Sequence, residues 1–361
     1  MKRRAAAAAL VMLLVSMTLF SLGSQEETDH TITLVDGLNR SVQLSSTPER
    51  VVLAGRANLF ITNAVYLFDT ARDHVIALAE TDQGMGDFFP VLDPRHHTKR
   101  RLPNSAGVEE IFSLKPDVVI MKDSMFSSLG VQLESLSVPV LTLGLESYDQ
   151  YLRDIALLGT LFSQEHRAEE LVQDMQSIVR RVSGAQEAED KPRVLMLYYT
   201  SRDGTSTFHV PPADWIQTYM TRTAGGVPVW QEHHTGSGWQ VVTFEQIAAW
   251  DPDMIFIISY TLPSREVAAM MKNSPLWSSL RAVQHHALLP FPGDFYSWAQ
   301  SDIRWLLGLQ WLAGQLHPEL YPDQDMNQVT LDFFELYLSV SPEDTQAYIL
   351  PLVQEDLSGR R

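Results

Sequence analysis

The stretch VEEIFSLKPDVVIM runs from Val108 to Met121, and FEQIAAWDPDMIFI runs from Phe244 to Ile257. Each reads as a carboxylate, one residue, an isoleucine, four more residues, then Pro-Asp and an apolar run. Glu109 and Glu245 stand equally far ahead of Pro116 and Pro252, which lie 136 residues apart. The carboxylate opens a short helix, Pro-Asp ends it and turns the chain, and the apolar run enters a sheet as a buried strand. A chain that states one helix–turn–strand unit twice, at equal internal spacing, is expected to fold as two related lobes.

The flanking sequence fits that expectation. TITLVDGLNRSVQL (31–44) alternates and bends at Asp36-Gly37 like a hairpin. Further strands are expected at 51–55, 74–79, 118–121 and 139–143, then at 194–199 and 287–291 of a second series. Helices around 303–315 and 330–340 close the chain. Alternating strands and helices predict an α/β class with parallel, Rossmann-like sheets. Between the two series, Ala168, Leu171, Val172, Met175, Ile178, Val179 and Val182 recur at three- and four-residue steps. Ser163 is the expected N-cap and Gly184 the expected stop. A helix over 164–182 would span about 28 Å and bridge the lobes. The chain divides into a signal peptide (1–23), an N-terminal lobe (24–150), an interlobe helix region (151–186) and a C-terminal lobe with its closing helices (187–361).

Composition narrows the class. The 361 residues are 45% apolar with eight Trp, enough for two well-built cores. A formal charge of −17 repels phosphate backbones, so nucleic acid is not an expected partner. Lys2, Arg3 and Arg4 precede the uncharged run from Ala5 to Phe20, with small residues at Ser21 and Gly23 for cleavage before Ser24. This predicts export to the periplasm or beyond. There is no cysteine, hence no disulfide, and Ser24 stands where an acylated lipoprotein would carry Cys, so the chain as written is not lipidated there.

TITLVDGLNRSVQLSSTPERVVLAG, VEEIFSLKPDVVIM, TFEQIAAWDPDMIFI and LGLQWLAGQLHPELYPD together resemble the solute-binding proteins of iron–siderophore, haem and cobalamin ABC importers. The resemblance runs from about Thr31 to Val340. It implies two Rossmann-like lobes joined by one long helix, a ligand in the cleft between them, and little relative motion. It also implies that Glu109 and Glu245 dock onto arginines of a membrane permease. One exposed carboxylate per lobe suits a symmetric two-subunit partner.

The rule that ligands lie beyond the carboxyl ends of strands selects the cleft residues. They are Arg56, Met85, Trp215, Trp239, Tyr260, Phe295, Tyr296, Trp298 and Arg304. The aromatic members offer flat apolar faces, and either arginine could pair an anionic group. Trp305 reads as core beside Leu306 and Leu307. The expected ligand is a metal chelate, with the protein a monomer that needs no cofactor of its own. A bare Zn or Mn ion, or an oxyanion such as molybdate or tungstate, is the alternative. The pairs His96-His97, His233-His234 and His285-His286 are poor chelators if extended, because adjacent side chains point apart. A secreted hydrolase is disfavoured, since no GxSxG, HExxH, Walker or dinucleotide motif occurs and no catalytic residue is assigned.

Overall fold

The computed structural model describes residues 31–81 and 83–357, so the signal-peptide reading and Ser24 lie outside the described residues. Strands β1 (Ile32–Val35) and β2 (Ser41–Leu44) form the expected antiparallel hairpin. Its turn is organised by the buried carboxylate of Asp36, which accepts from the Leu38 and Arg40 amides, the Arg40 guanidinium and the Thr142 hydroxyl. Burial pushes the Asp36 pKa up, but the bonds from Thr142 and Arg40 outweigh it and hold the carboxyl below its ordinary value.

Thr142 belongs to the first sheet, to which the hairpin is thereby fastened. That sheet contains β3 (Val51–Leu53), β4 (Val75–Ala79), β5 (Arg100–Leu102), β6 (Val118–Lys122) and β7 (Val140–Leu143), in the order β5-β4-β3-β6-β7, all parallel. The order reverses between β3 and β6, which opens a crevice at their carboxyl ends. Helix α1 (Asn58–Val65), buried along its whole length, follows β3, and α2 (Val108–Ser113) precedes β6.

Helix α3 (Tyr148–Leu161) begins with a capping box between Ser147 and Gln150, and α4 (Glu165–Ser183) packs along it. The long bridging helix is α4, and its stripe of Ala168, Leu171, Met175, Ile178 and Val182 is buried. The N-cap differs from expectation, while the helix stops at Gly184 as expected. Ser163 takes a left-handed φ of 54° and its hydroxyl meets Thr47 at 3.0 Å, so Gln164 occupies the N-cap position. Gly184 sits at the C-cap with φ −56° and runs on into a 3-10 turn.

The second sheet holds β8 (Arg193–Arg202), β9 (Thr205–Val210), β10 (Val227–Pro228), β11 (Gln240–Val242), β12 (Met254–Ile258) and β13 (Leu288–Pro290). Its order is β11-β9-β8-β12-β13 with β10 beside β8. The β8, β10, β12 and β13 pairings are parallel as expected, whereas β9 runs antiparallel to both β8 and β11. Around it lie α5 (Ile216–Thr223), α6 (Phe244–Trp250), α7 (Ser264–Lys272), α8 (Trp305–Leu316), α9 (Met326–Leu338) and α10 (Leu350–Leu357).

The repeated phrase makes the same structure twice. Helices α2 and α6 begin, and strands β6 and β12 begin and end, at the 136-residue offset of the sequence. Lys115 and Asp251 both turn left-handed after the helix, at φ 51° and 41°. The Asp117 amide then donates to the Arg50 carbonyl at 2.9 Å, and the Asp253 amide to the Arg193 carbonyl at 2.7 Å. Each aspartate returns the bond, its Oδ2 accepting from the amide of that same arginine at 2.9 Å and 2.8 Å. Each guanidinium closes the clasp on the helix end, Arg50 on the Leu114 and Lys115 carbonyls and Arg193 on the Trp250 carbonyl. Asp117→Ala and Asp253→Ala should each cost about 1 kcal/mol, the typical net worth of such bonds. The two clasps share no partner, so the costs should add in the double variant, as urea unfolding would measure.

Candidate functional site

The two lobes meet through short hydrogen bonds. The loop after β4 crosses to the second lobe, where the Gly84 amide donates to the Tyr260 carbonyl at 2.7 Å and the Met85 amide to the Phe295 carbonyl at 2.8 Å. Gly84 has φ +114°, and a Cβ there would meet the Tyr296 ring at 2.7 Å, so this crossing needs glycine. From the other side, the Ile216 amide donates to the Glu146 carbonyl at 2.8 Å, and Ser301 to the Glu146 carboxylate at 2.5 Å. Lys122, buried behind, pairs with Glu146 at 2.7 Å and with the Gly144 carbonyl.

An aromatic wall stands at this junction. Tyr198 stacks on Tyr260 at 4.4 Å and meets Trp239 at 4.7 Å, and Trp215 lies edge-on to Trp239 at 5.7 Å. Trp215 and Trp239 are partly exposed, while Tyr260 is buried. Burial, with Tyr198 and Glu146 near, pushes the Tyr260 pKa well up, so its phenol stays neutral. Met85, Phe295 and Tyr296 gather beside the wall, with Phe88 against Phe295 at 5.5 Å and Tyr296 at 6.1 Å.

Two expected cleft residues, Trp298 and Arg304, are enclosed in the core. Trp298 is 0% exposed and donates its indole N–H to Asp294 at 3.0 Å. Arg304 is 0% exposed, paired with Asp294 at 2.8 Å and Asp302 at 3.0 Å, and faces the rings of Phe88, Tyr296 and Phe334 at 4.4, 5.1 and 5.1 Å. Burial opposes the Arg304 charge, the two carboxylates more than offset it, and its pKa is raised. Both residues belong to the core: the Trp298 indole N–H is turned inward to Asp294, Arg304 Nε and Nη1 are held by Asp294 and Asp302, and Arg304 Nη2 is enclosed. Arg56 is exposed, but lines a pocket of about 430 Å³ whose other walls are first-lobe residues 104–108 and 125–132.

A family model for periplasmic binding proteins matches residues 70–292. The chain belongs to the periplasmic binding protein family. The molybdate-binding protein MolA of Haemophilus influenzae is 23% identical, over 91% of this chain and 96% of that protein. Its molybdate-bound structure superposes with a TM-score of 0.67 at 20% identity, covering 86% of this chain and 98% of the other. An uncharacterized ABC transporter substrate-binding lipoprotein of Bacillus subtilis is 22% identical over 81% of this chain and 87% of its own. A cobalamin-binding protein of Halobacterium salinarum is 25% identical over 62% of this chain and 58% of its own. The family is one of solute binders, which agrees with the reading of a binding protein rather than an enzyme.

In this periplasmic binding protein the two repeated glutamates are exposed, each at the second position of its helix. Glu245 sits in a Thr243–Gln246 capping box, and its own amide and the Thr243 hydroxyl hold its carboxyl below the ordinary value. Glu109 follows Gly107, which offers no side-chain cap. Among the described residues, no three His, Asp or Glu side chains are placed to hold a metal ion, and the histidine pairs form no such group. Sequence reasoning missed Tyr198 and the Lys122–Glu146 pair. Tyr198 falls inside the strand expected over 194–199, and Asp203-Gly204 between alternating runs signals the hairpin that carries it.

A cavity of about 210 Å³ beside Met85 is lined by Ser259, Ser264, Asp294, Ser297 and, from α10, Asp356. Burial raises the Asp356 pKa to about 6, with Arg265 opposing and Glu355 adding to the rise. A carboxyl whose folded pKa exceeds its unfolded one stabilises the fold when protonated. That contribution is complete below 3.8 and lost as the pH rises through about 6. Asp356→Asn should therefore melt about 2–4 °C above wild type at pH 7.5 and alongside it at pH 3.5, as calorimetry would show. Trp298→Ala should cost about 3–5 kcal/mol of stability while leaving ligand affinity of the folded fraction unchanged.

Proposed function

We propose that this protein is the extracytoplasmic substrate-binding component of an ABC importer, and that it captures a bulky metal chelate of the ferric-siderophore, haem or corrinoid class. The observation that carries this reading is the contiguous wall of Tyr198, Trp215, Trp239 and Tyr260 where the lobes meet. Such a wall offers stacking area with few fixed polar groups, which suits a large flat ligand. The likeness to a cobalamin-binding protein supports it. Residues 1–23 would export the chain, and Glu109 and Glu245 would register it on the permease as a monomer.

The near full-length likeness to a molybdate-binding protein favours a second reading, capture of an oxyanion. An oxyanion needs donors that are not already neutralised. At this junction Arg304 is matched by two aspartates and Lys122 by Glu146, which supports the chelate over the oxyanion.

Titration with cyanocobalamin, ferric citrate and molybdate, read by tryptophan fluorescence, separates the readings. A chelate should quench, and Trp239→Ala should weaken it by about tenfold or more, the usual cost of a lost aromatic anchor. A response to molybdate alone would install the second reading. Glu109→Arg with Glu245→Arg should abolish docking to the permease in reconstituted vesicles while ligand affinity persists. Equal docking by the double variant would remove the glutamates from that role.

A further inference from the structure

Strand β8 pairs with β12 only from Val194 to Tyr198, then continues to Arg202 paired with β9 alone. At about 3.3 Å per residue, this arm reaches roughly 13 Å past the carboxyl end of β12. That is the side of an open α/β sheet on which ligands lie. The arm turns tightly at Asp203 and Gly204, φ 51° and 78°.

The two faces of the arm differ. On one, Tyr199 and Phe208 are turned to the lobe, with Phe208 against Trp277 at 5.0 Å, which fixes the arm in place. On the other, Tyr198 is paired across the strands with His209, and Thr200 with Thr207. This second face starts in the aromatic wall, since its Tyr198 stacks on Tyr260 and meets Trp239. It continues outward as a polar cluster. The Thr200 and Thr207 hydroxyls are 2.7 Å apart, and His209 Nε2 lies 3.2 Å and 3.0 Å from them. His209 Nδ1 is enclosed and has no hydrogen-bond partner among the described residues. Burial lowers the His209 pKa, so the ring is neutral at pH 7. A threonine pair alone would suffice to tie two strands. An imidazole with one nitrogen enclosed and unpaired adds nothing to that task.

We propose that Thr200, Thr207 and His209 are the specificity-determining end of the ligand platform. The two threonine hydroxyls, oriented by His209 Nε2, hydrogen-bond amide, carboxylate or hydroxyl groups on the rim of a chelate whose flat face lies on Tyr198 and Trp239. This rests on the chelate reading above and assigns to a defined cluster the polar contacts that the aromatic wall lacks. The hydroxyls both donate and accept, so the cluster matches rim oxygens and rim amides without requiring a net charge.

The test uses the full chain with cyanocobalamin and ferric citrate as probes. Thr200→Val with Thr207→Val keeps the side-chain shape and strand preference but removes both hydroxyls. For whichever probe wild type binds, this variant should lose tenfold or more in affinity, with the melting temperature and the quench at saturation unchanged. Thr200→Ser with Thr207→Ser keeps the hydroxyls and should retain affinity, even if the valine pair folds poorly. His209→Phe should weaken binding as the valine pair does. Wild-type affinity in the valine pair and in His209→Phe would overturn the inference while leaving the chelate reading intact. No response of wild type to either probe would overturn both.

Discussion

The buried guanidinium of Arg304 is the interaction on which the arrangement of lobes depends. Two carboxylates hold it, and each is itself tied onward: Asp294 accepts from the Trp298 indole, and Asp302 accepts from Asn63 of the first lobe. Its planar face is shared by Phe88 of the first lobe, Tyr296 of the junction and Phe334 of α9. Taking these charges out of water is costly, and a buried ion pair is a poor source of net stability. What the network gives is position, since removing the arginine would strand two buried carboxylates. Its consequence for binding is that the arginine nearest the junction has no charge left to offer.

Much of the architecture was legible because it is periodic or repeated. The Pro-Asp phrase fixed the equivalence of the lobes down to the left-handed residue after each helix, and the stripe from Ala168 to Val182 marked α4 as the bridge. The segment from Phe291 to Trp305 was a different problem. It has no period, so nothing local distinguishes an inward Trp298 from an outward one; that depends on Asp294 and on the carbonyl packing against Gly308. Arg56 shows the limit of the carboxyl-end rule. The rule places the residue at the crevice, but Ala57 turns left-handed at φ 56° and sends the chain directly into α1. Three members of the wall, Trp215, Trp239 and Tyr260, stand out in the sequence because each lies at the end of a helix or strand. Tyr198 escaped because it lies within a strand that continues beyond its sheet.

The lobes are related but not equal. The first sheet is wholly parallel, while in the second the hairpin β8–β9 replaces a crossover and β11 returns antiparallel. A hairpin puts side chains where a helix N-terminus would have put backbone amides. On this side of its sheet the second lobe therefore presents rings, hydroxyls and an imidazole, and the first presents short loops after β3, β4 and β6. The helices that carry the repeated glutamates share this inequality, one capped by Thr243 and Gln246 and the other starting bare at Gly107.

The Gly84 crossing has a consequence for how such proteins can diverge. A single added carbon there would meet the Tyr296 ring at 2.7 Å, and the amides on this turn are fixed to Tyr260 and Phe295. At this crossing the spacing of the lobes is thus limited by one residue that has no side chain, alongside the bridging helix and the Arg304 network. Any substitution at this position acts as a shim. It would press on the Tyr296 ring and on the turn bonded to Tyr260 and Phe295, so the breadth of the gap and the setting of the rings beside it would change together.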